Sequence, residues 1–179
     1  MIVTAVLATL LAQATVPMSP PVEQQTANCA RPTFATDMLV CDDPELRALD
    51  ERLRTIPPRP AAASELLEAR ADWFRRSRRC AFQADHRGCA VAAYREALAV
   101  QAPAVGDAAP VGRCRLRDGD AALVPVTGGA ALVRDGRILG VGPAGTPPWQ
   151  PFLRYEGASH RAVFQDLAGR VTARCTLRL

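Results

Sequence analysis

Six cysteines constrain this 179-residue chain more than any other feature, because the closest two, Cys80 and Cys89, stand nine positions apart and no CxxC pair occurs. Structural metal sites and thiol redox centres use tighter pairs, so the even count points to three disulfides in an oxidising compartment. No metal site and no cofactor is expected.

Residues 28–100 hold four of the cysteines among three helical patterns. Met38 to Cys41 give one apolar turn, and Asp43-Pro44-Glu45 then supplies an N-cap, a proline at the first helical position and an acid in the first turn. Leu46, Leu49, Leu53 and Ile56 follow on one face, Arg47, Asp50, Glu51 and Arg54 lie on the other, and Pro57-Pro58 ends the run. The second pattern is expected from Ser64 through Leu66, Leu67, Trp73 and Phe74 to Cys80, its last turn carrying Arg75, Arg76, Arg78 and Arg79. The third runs from about Cys89 through Val91, Tyr94 and Leu98 and stops before Pro103. Helices this short make a weak core, and disulfides worth about 2–4 kcal/mol each offset that weakness. Four cysteines allow three connectivities; the local one, Cys29 with Cys41 and Cys80 with Cys89, is preferred.

The flanks read differently. Ile2 to Leu11 is apolar and Ala12-Gln13-Ala14 follows it, the pattern of a signal peptide cleaved after residue 14, far short of the roughly 20 residues a membrane span needs. Residues 15–27 are expected as a disordered lead, and residues 101–111, rich in Ala, Pro and Gly, as a linker. From residue 112 to 179 the period changes from helical to alternating. Strands are expected over 113–117, 121–126, 130–134, 137–141, 152–156, 161–165 and 170–177, separated by turn pairs such as Asp118-Gly119, Gly128-Gly129 and Asp135-Gly136. Such a series makes a small antiparallel barrel or sandwich, with Cys114 and Cys175 stapling its first and last strands. The fold class is thus α+β: a disulfide-stapled helical unit followed by a small β domain.

Two resemblances follow from particular residues. The run Leu39-Val40-Cys41-Asp42-Asp43-Pro44-Glu45-Leu46-Arg47-Ala48-Leu49-Asp50, with Trp73 seven residues before Cys80 and Tyr94 five after Cys89, resembles the LprI-type lysozyme-inhibitor N-terminal domains over residues 29–100. The chain departs from that pattern at Ser77, where an arginine is usual, and at Arg70-Ala71, where Gln-Arg is usual. Residues 112–179 are similar to the MliC-type lysozyme inhibitors, small disulfide-linked barrels, through Cys114, Cys175 and Leu153-Arg154-Tyr155-Glu156-Gly157. Members of that family insert a serine and a lysine into the lysozyme cleft; here Pro151-Phe152 takes the first place, and the chain has no lysine. The resemblance implies Arg154, Tyr155 and Arg161 as partner-binding residues, with an arginine such as Arg161 or Arg170 standing in for the lysine. Together the two imply an exported protein of the periplasm or the medium that inhibits or sequesters a lysozyme-like muramidase; a structural envelope protein without inhibitory action is the alternative.

Other function classes find less support in the residues. His86 and His160 are the only histidines and read as surface positions, no serine stands in a nucleophile elbow, and catalytic residues are not expected. Gly142-Pro143-Ala144-Gly145 has neither the strand-to-helix setting nor the lysine of a phosphate loop. The arginines between residues 70 and 87 are interleaved with Trp73 and Phe74 alone, whose spacing places them on the buried face, so nucleic acid is not an expected partner.

Overall fold

The computed structural model describes residues 23–59, 64–103, 108–144 and 148–178. The expected signal peptide, the lead up to residue 22 and linker positions 104–107 lie outside the described residues. Of the lead, residues 23–27 are docked on the helices: the Ala27 amide donates to Asp50 at 3.0 Å, and Gln24 donates to Asp37 at 3.2 Å.

The first helical pattern divides at Asp43 into α1 (Ala35–Asp42) and α2 (Pro44–Thr55). Asp43 leaves the helical region, and its side chain accepts from the Leu46 amide, capping α2 with Pro44 at the first turn. The second pattern starts later than Ser64. Residues 64–67 form a turn in which the Leu67 amide donates to the Ser64 carbonyl at 3.1 Å and Leu66 bridges to Gly140, and α3 covers Arg70–Ser77 before a tight 3-10 turn, Arg78–Phe82. A contact distant in sequence overrides the local helical spacing there. Helix α4 (His86–Gln101) is capped by Asp85, which accepts from the Gly88 amide at 2.7 Å. Val40, Leu46, Leu53, Trp73, Phe74, Ala90 and Tyr94 form the core of this unit, all buried. Disulfides Cys29–Cys41 and Cys80–Cys89 tie its turns together, as the local pairing anticipates.

Seven strands follow: β1 (Gly112–Leu116), β2 (Gly119–Val126), β3 (Gly129–Arg134), β4 (Arg137–Pro143), β5 (Leu153–Ala158), β6 (Arg161–Asp166) and β7 (Val171–Leu177). All pair antiparallel in the order β4-β3-β2-β1-β7-β6-β5, so the first and last strands meet in the middle and Cys114 bonds to its register partner Cys175. Closing a loop of 61 positions restricts the unfolded chain by about 4 kcal/mol in a chain-entropy account. Edges β4 and β5 lie side by side without a ladder between them, which leaves a nearly closed barrel.

The sequence dictates which side of each strand is covered. Strands β1, β6 and β7 alternate, Cys114, Ala162, Phe164, Ala173 and Cys175 pointing inward, with arginine or threonine outward on β1 and β7 and Arg161, Val163 and Gln165 outward on β6. Strands β3 and β4 instead run apolar at successive positions, and such strands are covered on both faces. Leu132 faces the barrel interior, whereas Ala131 and Val141 face outward and are buried under Leu67 and Val100 of the helical unit.

Two glycines let the β4 edge approach its neighbours. A Cβ on Gly140 meets Leu153 at 2.8 Å and Leu66 at 3.0 Å; one on Gly142 meets the Phe164 ring at 2.8 Å and Tyr155 at 3.0 Å. Phe164 is fully buried. Gly142→Ala is expected to destabilise the protein by about 1–3 kcal/mol through overpacking. Urea unfolding measures this, and an unchanged midpoint would mean that the seam is slack.

Candidate functional site

The hairpin of β5 and β6 carries Arg154, Tyr155 and Arg161, the residues that the resemblance implies for partner binding, and the ladder sets them apart. Arg154 stands opposite Gln165 and donates to it, and it also pairs with Glu156 at 3.0 Å. Tyr155 stands opposite Phe164, its ring centroid 5.3 Å from that of Phe164, and so serves the barrel interior. Arg161 begins β6 opposite Ala158, exposed, and has no ion pair among the described residues. Strand alternation places Arg154 and Arg161 on the same outer face and Tyr155 on the inner one. His160 is exposed beside Arg161 at the turn. His86 differs from its surface reading: it is half-buried at the start of α4, within 3.2 Å of the Thr36 hydroxyl, and burial lowers its pKa from the ordinary value.

A second polar centre, absent from the sequence reading, joins the two halves of the molecule. Glu96 of α4 is 4% exposed and accepts from three donors: Trp149 Nε1 at 2.6 Å, the Phe152 amide at 2.7 Å and Arg76 at 3.2 Å. Arg76 in turn donates to Glu68 at 2.8 and 2.5 Å and to the Gln150 carbonyl at 2.7 Å, and its guanidinium lies 4.2 Å from the centre of the Trp149 ring. Burial pushes the Glu96 carboxyl above its ordinary pKa, against the pull of Arg76, the Phe152 amide and the Trp149 indole. Burial also opposes the charge of Arg76, but Glu68 and Glu96 outweigh it and hold that pKa above the ordinary value. A signal for Glu96 exists in the sequence: with Cys89, Ala93, Ala97 and Val100 it falls on one helical face, a charge inside an apolar stripe.

Another buried carboxylate organises the helical unit. Asp50 accepts from the Tyr94 hydroxyl at 2.8 Å, the Ala27 amide at 3.0 Å and Arg54 at 2.8 Å. Burial, reinforced by Asp50, raises the Tyr94 phenol far above its ordinary value. Its folded pKa therefore exceeds the unfolded one, and the stability it contributes is complete below about pH 10 and is lost as the pH rises further.

The arginines expected along the last turn of the second helix are used individually. Arg76 enters the joint, and Arg78 lies 3.6 Å over the Phe34 ring and 4.7 Å over that of Phe74. Among the described residues, no group of three or more His, Cys, Asp or Glu side chains is assembled that could hold a metal, and no helix is long and apolar enough to cross a membrane. No protein-family model, curated protein or solved structure matches the chain.

Glu96→Ala removes an acceptor on which three donors converge and leaves Trp149, the Phe152 amide and part of Arg76 buried without a partner. The expected loss is on the order of 3 kcal/mol in urea unfolding. Arg52→Ala, on the exposed side of α2, should stay within about 0.5 kcal/mol of the parent. Equal midpoints for the two variants would refute the role given to Glu96.

Proposed function

We propose that this protein is a non-catalytic binding module of the cell envelope, exported to the periplasm or the medium, that inhibits or sequesters a lysozyme-like muramidase. The observation that carries the reading is Arg161: an exposed cation beside the β5–β6 turn, with no carboxylate paired to it among the described residues. Enzymes that cut glycosidic bonds work with a pair of carboxylic acids in a cleft, and a guanidinium offered from a rigid hairpin is a suitable partner for them. Arg154 is engaged by Gln165 and Glu156, so it buttresses the hairpin while Arg161 makes the first contact. Tyr155 anchors the strand to the core and acts on a partner only through that support.

Three disulfides favour life in an oxidising compartment. Ten arginines against five acids over residues 108–178 make the barrel strongly basic, while residues 23–103 carry twelve of each, so the charge favours a muramidase with an acidic cleft rim.

Residues 15–179 should slow the clearing of a peptidoglycan suspension by such a muramidase. Arg161→Ala should weaken the inhibition at least about thirtyfold, the consequence of losing roughly 2 kcal/mol at a desolvated charge pair, and Arg154→Ala should weaken it less. An inactive wild type at micromolar concentration, or an Arg161→Ala variant of unchanged potency, would instead favour a structural envelope protein without inhibitory action.

A further inference from the structure

The basic excess of the barrel is not spread evenly. Arg134 is held by Asp118 at 3.0 and 3.2 Å, Arg154 by Glu156, and Arg170 by Asp166 at 2.7 Å, so three of the barrel's five acids are already paired with arginines. Of the seven arginines that remain, four gather on the outer face of β1, β7 and β6. One row across these strands reads Arg113, Thr176, Arg161; the next reads Arg115, Arg174, Val163. Arg113, Arg115, Arg161 and Arg174 are all exposed, and each is flanked along its strand by a buried inward residue, so all four point out of the same wall.

Arg115 and Arg174 are direct register partners, and like charges so placed repel. Asp120 of β2 is the other register partner of Arg115 and lies 3.9 Å from Arg113, so it offsets that repulsion at one side of the wall only, and Arg174 and Arg161 have no ion pair among the described residues. The helical unit does not cover this wall. It docks on β3, β4 and the seam, whereas β1 and β7 are central in the strand order, far from both edges. An arrangement that costs stability and is left bare is a sign of a ligand that repays it.

We infer that this wall binds an anionic polysaccharide carrying repeated sulfate or phosphate groups. Neighbouring strands lie about 4.8 Å apart and successive outward residues about 7 Å apart, so the four guanidinium groups span roughly 10 by 7 Å. One small anion reaches two of them at most, whereas a polymer with an anion on each unit reaches all. The two rows contain no aromatic side chain, and a single-stranded nucleic acid needs such platforms for its bases. They also contain no large apolar side chain beyond the half-buried Val163, so nothing is offered for insertion among lipids. Threonine and arginine on a convex wall suit a hydrated, charged chain. This site is separate from the muramidase reading and shares only Arg161 with it, so its test leaves the β5–β6 hairpin intact.

The probe is dextran sulfate, titrated at low salt against the full chain, with anionic phospholipid vesicles and a single-stranded oligonucleotide as the other two arms. Wild type should bind dextran sulfate with affinity that falls steeply as salt rises. The Arg115→Ser, Arg174→Ser double variant should bind at least about tenfold more weakly, with a shallower salt dependence, while its melting temperature is unchanged or higher because a repulsion has gone. The control, Arg31→Ser with Arg137→Ser, removes the same charge from exposed positions elsewhere and should keep nearly all the affinity. Equal losses in the two double variants would reduce the effect to net charge and overturn the site. Tighter binding to the oligonucleotide or the vesicles than to dextran sulfate would overturn the polysaccharide.

Discussion

A carboxylate buried between two units with different periodicities is the interaction on which this structure turns. Taking Glu96 out of water costs several kcal/mol unless its oxygens are matched, and the donors that match it come from both sides. Arg76 belongs to the helical unit, and Trp149 and the Phe152 amide belong to the connection that leads into β5. Separating the two units strands all of them. The apolar contact of Val100 and Leu67 with Ala131 and Val141 supplies burial beside the joint, but burial alone does not fix an angle. Directional hydrogen bonds to one carboxylate do.

The joint has consequences at a distance. Because the helical unit docks on β3 and β4, those strands are apolar on both sides. Leu66 lies against Gly140 at the barrel's open seam, where β4 and β5 come together without a ladder. The opposite wall, β1 with β7 and β6, is then the one left to solvent, and there most outward positions are arginine and threonine. The disulfide Cys114–Cys175 lies directly beneath that wall and holds Arg115 and Arg174 in register despite their repulsion. Covered and exposed faces of one sheet thus follow from where Glu96 is satisfied.

Much of this was legible in the residues. Asp43-Pro44 marked the start of α2, the turn pairs marked nearly every strand boundary, and the cysteines paired as their positions in the chain suggested. Ser64 misled because its local spacing is helical, while Leu66 is claimed by a strand about 70 residues away. The successive apolar positions of β3 and β4 held a message that alternation alone misses, namely a second covered face. Glu96 and Trp149 were not singled out, since a buried hydrogen bond between them depends on two segments meeting and no single window contains both. The residues proposed for partner binding show a similar limit. The resemblance names Arg154, Tyr155 and Arg161 together, yet strand alternation sends Tyr155 inward, and of the two arginines only Arg161 lacks an ion pair among the described residues.

Native-state hydrogen exchange tests the joint most directly. If the Glu96 cluster unites the halves, the slowest amides of α4, around Ala97 and Val100, and those of β3 and β4, around Leu132 and Val141, open with one shared free energy, and Glu96→Ala lowers both together. Strands that keep their full protection while α4 exchanges at a lower free energy, or a Glu96→Ala variant that alters only the helical amides, would contradict a single cooperative body built on that carboxylate.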